Sequence, residues 1–393
     1  MVVSGMQGEK AKGLTNMKKA KNINTVGVCL AALALLSLGF GVPVTQAAAA
    51  KTTTKQAPPI SLGTSGGWRY DLANGYCCSG TLGCLVQLSG KKCILSNFHV
   101  LAGDVVAGGN NRVAKVGDYI IQPGLVDVNC IAGGAQNVAT LTAWADPVIY
   151  NRRGANVDAA IAEVISDMVR DDGAILNIGT ISSQTWTASV GQGVKKCGRT
   201  TGLTASTVGG LNATVRVQYD RECGSRKVYG TATFTGQILV VNPNNGFLNA
   251  GDSGSLLVEN VDPNPRSVGL LFAGSSGANG VAVANPINDV LVRFGATMVG
   301  VATGASARVA TAGEHPMIAF LVGEAVAAQE RHARLLESVP RAVGHCVGPD
   351  EQTGNIVIKV LLEKDTPEAR AAVPYAVDGV PVVIQETGRI VAY

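Results

Sequence analysis

Histidine is scarce, with four in 393 residues at positions 99, 315, 332 and 345. Aromatic residues make up 5% of the chain and charged residues 15%, and no long block of one charge sign occurs. Cysteine is present nine times, yet no C-x-x-C pair has the matching second pair that structural zinc sites use. His345 and Cys346 adjoin in a strand-like run and would face opposite ways, so they do not combine with His315 and His332 as metal ligands. No metal is expected, and no cofactor is required by the chemistry the chain suggests. The first 50 residues carry Lys10, Lys12, Lys18, Lys19 and Lys21 against Glu9, which accounts for the net charge of +4. The remainder is close to neutral, without a basic face for nucleic acid or an anionic surface.

The N-terminus reads as a targeting segment. Three lysines precede an uncharged stretch from Thr25 to Val44, followed by alanines 47–50. A basic region, an apolar region and small residues at a cleavage site describe a secretory signal over 1–50, with the product secreted, periplasmic or in the cell envelope. An uncleaved anchor is the alternative, because about 20 apolar residues can span a bilayer; a membrane would be met only through that segment. Export would permit disulfides. Eight cysteines after Cys29 allow 105 full pairings, and the pair favoured here is Cys197–Cys223, flanking one excursion of a β-domain.

Glycine is abundant, at 49 residues, and is spread between short runs rich in Val, Ile and Thr. That texture suggests many strands joined by tight turns. Residues 51–64 ("KTTTKQAPPISLGT") resemble a solvated linker. Two β-rich halves follow, at about 65–167 and 175–303, and no long amphipathic helix interrupts either one. After about 305 the texture changes. "HPMIAFLVGEAVAAQERHARLLESVP" places Ile318, Leu321, Val322, Ala325, Leu335 and Leu336 at helical spacing. "AVGHCVG", "NIVIKVLLEK" and "VPVVIQE" read as strands, and Thr366 opens a short helix as its N-cap. The expectation for 305–393 is a small α/β appendage.

Three residues suggest chemistry. His99 is the one histidine of the β region, in "LSNFHVLAG". Asp158 stands within "NVDAAIAEV", where a carboxylate is expensive to bury unless it is paired or hydrogen-bonded. Asp104 and Asp118 are rivals in stretches that look solvated. Ser253 sits in "FLNAGDSGSLLV", where glycines let backbone and substrate approach closely. The turn can aim the amides of Gly251 and Ser253 at one point, as an oxyanion hole. The order His, Asp, Ser differs from those of the subtilisin and α/β-hydrolase triads, and "GDSGS" is not the G-x-S-x-G elbow.

Together "SNFHVLAG", "VDAAIAEV" and "GDSGSLLV…VGLLFAGSS…VANPI" resemble a chymotrypsin-fold serine endopeptidase over about 65–303. "YCCSGTLGCLV", "GDYIIQPG" and "KKCGRTTGLTASTV" are similar to bacterial trypsin-like proteins and the related plant Narrow-leaf trypsin-like proteins. The resemblance implies an all-β fold of two six-stranded antiparallel β-barrels. The triad would lie between them, with His99 and Asp158 from the first and Ser253 from the second. It implies peptide-bond hydrolysis through an acyl-enzyme, with a protein or peptide substrate. It also gives Asp252 a partner, Arg199 of "CGRTTG". Phe247, six residues before the serine, would stand at the base of the primary pocket with Phe272 and Gly274, which disfavours cleavage after Lys or Arg. The usual "GDSGGP" is "GDSGSL" here. The same residues also fit a catalytically silent protease-fold binding protein.

Overall fold

The short apolar runs become strands and the Gly and Asn residues between them become turns. In the computed structural model, the described residues are 49–392, apart from 74–75, 104–113, 148–155, 222–226, 303–312 and 314. The expected signal segment, up to residue 48, lies outside them, as do Cys223 and Asp104. The description here concerns the compact unit Ala49–Tyr393.

The first sheet is built from β1 (Thr64–Trp68), β2 (Gly80–Leu82), β3 (Cys84–Leu88), β4 (Lys91–Ser96), β5 (Tyr119–Gln122), β6 (Gln136–Ala145) and β7 (Ala159–Val164). Its order is β3-β4-β7-β6-β5-β1-β2, with the short Thr297–Met298 strand beside β3. Gly83 separates β2 from β3, so one stretch of chain pairs with β1 at one end of the sheet and with β4 at the other. The sheet therefore curls round a core that includes Trp68, Leu82, Ile94, Leu95, Phe98 and Ile161.

The second sheet contains β8 (Gly193–Gly198), β9 (Gly202–Asp220), β10 (Val228–Val241), β11 (Leu256–Glu259), β12 (Ser267–Gly274) and β13 (Val281–Pro286). These six close on themselves in the order β8-β11-β12-β13-β10-β9 and back to β8, every pairing antiparallel. Closure removes sheet edges. The ring encloses Val194, Val208, Val240, Phe247, Leu257, Leu271 and Ala282. β9 and β10 run beyond the ring as a long hairpin.

Two organisational expectations are corrected. The stretch 51–64 is solvated only in its first part: most residues of 51–59 are exposed, but Ile60 and Leu62 are fully buried and bridge to Val169 and Ile175. Apolar side chains every second residue give this segment one core-facing side. The tail, likewise, is not set apart from the β region. The single helical run expected over 315–340 is divided at His332 into helices Pro316–Arg331 and Ala333–Glu337. The helix Pro367–Ala372 and strands β14 (Ala342–Pro349), β15 (Ile356–Leu362) and β16 (Val380–Glu386) form where expected. Yet β14 pairs with the extended β9, so one sheet runs through both regions. The last strand, β17 (Val391–Ala392), pairs with β9 and β12. The α/β texture was real, but the overhang of β9 supplied an open edge that the tail strands cover.

Candidate active site

His99 lies in α1 (Phe98–Leu101), a single turn between β4 and a loop. Phe98 and Leu101 are buried in the first core, which leaves the imidazole on the opposite side with 14% of its side chain exposed. Asp158 immediately precedes β7 and is fully buried. Its Oδ2 lies 2.7 Å from His99 Nδ1, and its Oδ1 accepts from the His99 amide at 3.3 Å. The backbone around it is also fixed. The Asp158 amide donates to Asn285 Oδ1 at 3.0 Å, and Asn97 Nδ2 donates to its carbonyl at 2.7 Å. A buried carboxylate with several donors avoids the penalty of an unpaired charge. With Nδ1 donating to that carboxylate, the other ring nitrogen is the basic one.

Tyr219 completes this cluster and was missed in the sequence. Its hydroxyl donates to Asp158 Oδ2 at 2.7 Å, and its ring meets the His99 ring edge-on at 6.1 Å. It lies on β9, following Val215 and Val217 at alternate positions that share one apolar cluster. A buried tyrosine needs a partner for its hydroxyl, which was the available signal, but nothing local named the partner.

Ser253 is fully buried as a residue, and its hydroxyl donates to the Phe272 carbonyl at 3.2 Å. The turn carrying it is conformationally special. Gly251 and Gly254 have φ of +93° and +90°, the region where a side chain is strained. A Cβ on Gly254 would stand 2.1 Å from Ser96 Oγ and 2.3 Å from the Thr81 carbonyl. The first sheet grips this turn through Thr81, whose amide donates to the Ser253 carbonyl at 2.9 Å and whose hydroxyl donates to the Gly251 carbonyl at 3.0 Å. The amides of Asp252 and Gly254 donate to the carbonyls of Asn249 and Leu271. Those of Gly251 and Ser253 find no acceptor among the described residues, which leaves two donors available beside the hydroxyl.

Asp252 is held differently from expectation. Its carboxylate accepts from the amides of Thr200, Thr201 and Asn249 at 2.8, 3.1 and 3.0 Å and from the Thr201 hydroxyl at 2.7 Å. The cation beside it is Lys196, 3.4 Å away, both side chains being fully buried. Burial pushes the Lys196 ammonium below the usual lysine range, against the pull of Asp252. Arg199 instead forms a two-pronged pair with Asp127, at 2.7 Å through both Nε and Nη2. Strand alternation explains the exchange: Lys196 points into the ring, while Arg199 stands just past the end of β8 and reaches the first sheet's neighbouring turn.

Further expectations are corrected here. Cys197 is a free, buried thiol, so it does not bridge to Cys223. The disulfides involve other cysteines: Cys77 pairs with Cys130, and Cys78 is also disulfide-bonded. Phe247 and Phe272 are both buried, but Phe247 belongs to the cluster inside the ring and Phe272 to the one shared with Tyr219 and Phe234. They are not paired in one pocket, because Phe272 and its neighbour Leu271 project to opposite faces of β12. Gly274 ends β12 and pairs with Val391. Asp118, read as solvated, is buried and accepts from Trp68 Nε1 at 3.0 Å.

A protein-family profile described as the Nal1 C-terminal domain matches residues 155–286. No curated protein matches the chain. Among solved structures, a glutamic acid-specific serine protease is 18% identical over 61% of this chain and 100% of its own, with a TM-score of 0.40. Thermobifida fusca protease A is 18% identical, covering 62% and 99%, with a TM-score of 0.39. A Nocardiopsis protease is 16% identical, covering 61% and 98%, with a TM-score of 0.38.

Proposed function

We propose that this chain is a serine endopeptidase that cuts peptide bonds through an acyl-enzyme, on a chymotrypsin-like arrangement of two β-barrels. The observation that carries the reading is the 2.7 Å contact between buried Asp158 and His99 Nδ1, formed across 59 residues of sequence. It stands beside a glycine-bounded serine turn with two uncommitted amides.

In this mechanism Asp158 holds the imidazole in the tautomer whose Nε2 is basic and stabilises the imidazolium that forms. His99 takes the Ser253 proton as the oxygen attacks the scissile carbonyl. The Gly251 and Ser253 amides receive the developing oxyanion, an interaction typically worth about 3–4 kcal/mol per donor in such sites. His99 then passes its proton to the leaving amine as the C–N bond breaks. Water, deprotonated by His99, cleaves the ester and returns Ser253 to its hydroxyl. The acids and bases are all side chains of this chain, and the role of Lys196 and Asp252 is to hold the turn.

The substrate is a protein or extended peptide, and the site of action is outside the cytoplasm, following removal of residues 1–50. Peptide-library digestion by the chain beginning at Lys51, compared with Ser253→Ala, tests the reading. Products that require Ser253 support it; identical digests from both proteins overturn it.

A further inference from the structure

β17 occupies a sheet edge beside Ser253. One side of β12 pairs with β13 as far as Gly274. On the other side β11 covers only Ser267 to Leu270, so the backbone of Ala273 and Gly274 would face outward. β17 takes that place, antiparallel, with Ala392 opposite Ala273 and Val391 opposite Gly274. Its far side meets Gln218 of β9, the residue before Tyr219.

The direction of β17 matters. In an antiparallel pair, each step toward the C-terminus of one strand moves back along the other. From Val391 to Ala392 the ladder moves from Gly274 to Ala273, and the next residue on β12 is Phe272, whose carbonyl accepts the Ser253 hydroxyl. An extended peptide laid on this edge with that polarity carries its C-terminal side toward the nucleophile. That is how an acyl donor must approach, and strand addition to an open edge is a common mode of peptide recognition.

The anchorage of the segment is graded. Ile390 is fully buried among Tyr219, Phe234, Phe272 and Ala273, and its carbonyl accepts from the Gln218 amide at 3.0 Å. Arg389 reaches Glu363 at 2.5 Å and Gln218 Oε1 at 3.1 Å. Beyond Ile390, Val391 and Ala392 are only half-buried and are held through a two-residue ladder. Segments with few buried contacts open at low free energy.

We infer that Val391 and Ala392, tethered by the buried Ile390, are an occupant of the peptide-binding edge at Ala273–Gly274, excluding substrate until they are displaced. The inference rests on the endopeptidase reading for its consequence, but the docking itself needs no catalysis. A tether gives the segment an effective concentration in the millimolar range, so a weakly held strand still competes with free peptide.

Binding and turnover separate the two claims. A labelled peptide Arg-Ile-Val-Ala-Tyr, the sequence of residues 389–393, is titrated in fluorescence polarisation against Ser253→Ala proteins, one full-length and one ending at Arg389. The shortened protein is expected to bind at least about tenfold more tightly. With Ser253 intact, shortening is expected to raise kcat/KM on peptides by a similar factor. Equal peptide affinity of the two Ser253→Ala proteins overturns the inference, whatever their chemistry. Tighter binding without hydrolysis by either Ser253 protein upholds the docking and refutes the endopeptidase reading. If the shortened chain does not fold, Val391→Pro, which lacks a ladder amide, replaces it in the same comparison.

Discussion

The Tyr219 hydroxyl and the His99 imidazole share one oxygen of Asp158, each 2.7 Å from Oδ2. The long β9–β10 hairpin thereby reaches across to the first sheet and helps fix the carboxylate on which the imidazole depends. Through Asp158, Tyr219 positions the imidazole.

Tyr219→Phe keeps the ring and removes the donor. A hydrogen bond to a charged group is worth about 1.5–3 kcal/mol, so kcat is expected to fall by roughly one to two powers of ten. KM should stay near its original value, because no substrate contact is removed. A purely packing role for the tyrosine would leave kcat unchanged in a Tyr219→Phe variant of normal thermal stability, and steady-state kinetics with a melting curve distinguish the two.

Lys196 and Asp252 form a fully buried pair under the serine turn. Lys196→Met is expected to cost about 3–5 kcal/mol, the usual effect of stranding one buried charge. Adding Asp252→Asn should recover part of that loss, since neighbours in one network are not additive. Urea midpoints of the two single variants and the double variant measure the coupling. Arg199→Gln, which breaks a separate pair with Asp127, should show no such coupling to Asp252.

Gly254→Ala tests the turn itself. The new methyl group would meet Ser96 Oγ and the Thr81 carbonyl in a backbone conformation that alanine resists. A loss of more than about 1 kcal/mol in stability is expected, together with a larger loss of kcat than of substrate affinity. A variant with unchanged stability and turnover in denaturant and kinetic assays would contradict the described grip of Thr81 on the turn.

Burial pushes the Cys197 thiol up from 9.0 to about 11. The folded state therefore keeps its proton where the unfolded chain loses it. This contribution to stability is complete below pH 9, then declines by about 1.4 kcal/mol per pH unit and is lost on passing about pH 11. The stability difference between the parent chain and Cys197→Ala should shrink over that interval. Mass spectrometry after alkylation provides a second check: Cys197 should be modified only once the protein is unfolded, whereas Cys77 and Cys130 require a reductant.

These relationships also mark how far the amino-acid sequence could be read. The pairing of His99 with Asp158 and the tight turn at Ser253 were legible because each lies in a short run whose neighbours dictate local structure: an apolar strand end, a costly buried acid, a glycine-bounded turn. The strands after residue 341 and the helical character of 316–337 were legible by periodicity, though the break at His332 was not. Contacts made at long range were not. Lys196 lies within β8 and Arg199 just past its end, and only where the strand faces and stops decides which of them reaches Asp252. Tyr219 meets Asp158 because of how far the β9–β10 hairpin projects, and hairpin projection leaves no local pattern. The tail seemed separate because its composition differs, while the sheet edge that joins it to β9 is a backbone feature with no compositional trace. β17, at two residues, is too short for alternation to announce.

The central claim is that Ser253, activated by His99 and Asp158, is a nucleophile. It is tested most directly by reacting the protein ending at Arg389 with a fluorophosphonate and locating the adduct by mass spectrometry. The expected result is one adduct per chain, on Ser253, formed much more slowly in His99→Ala and absent in Ser253→Ala. A folded protein that forms no adduct, or forms one at the same rate without His99, would contradict the account.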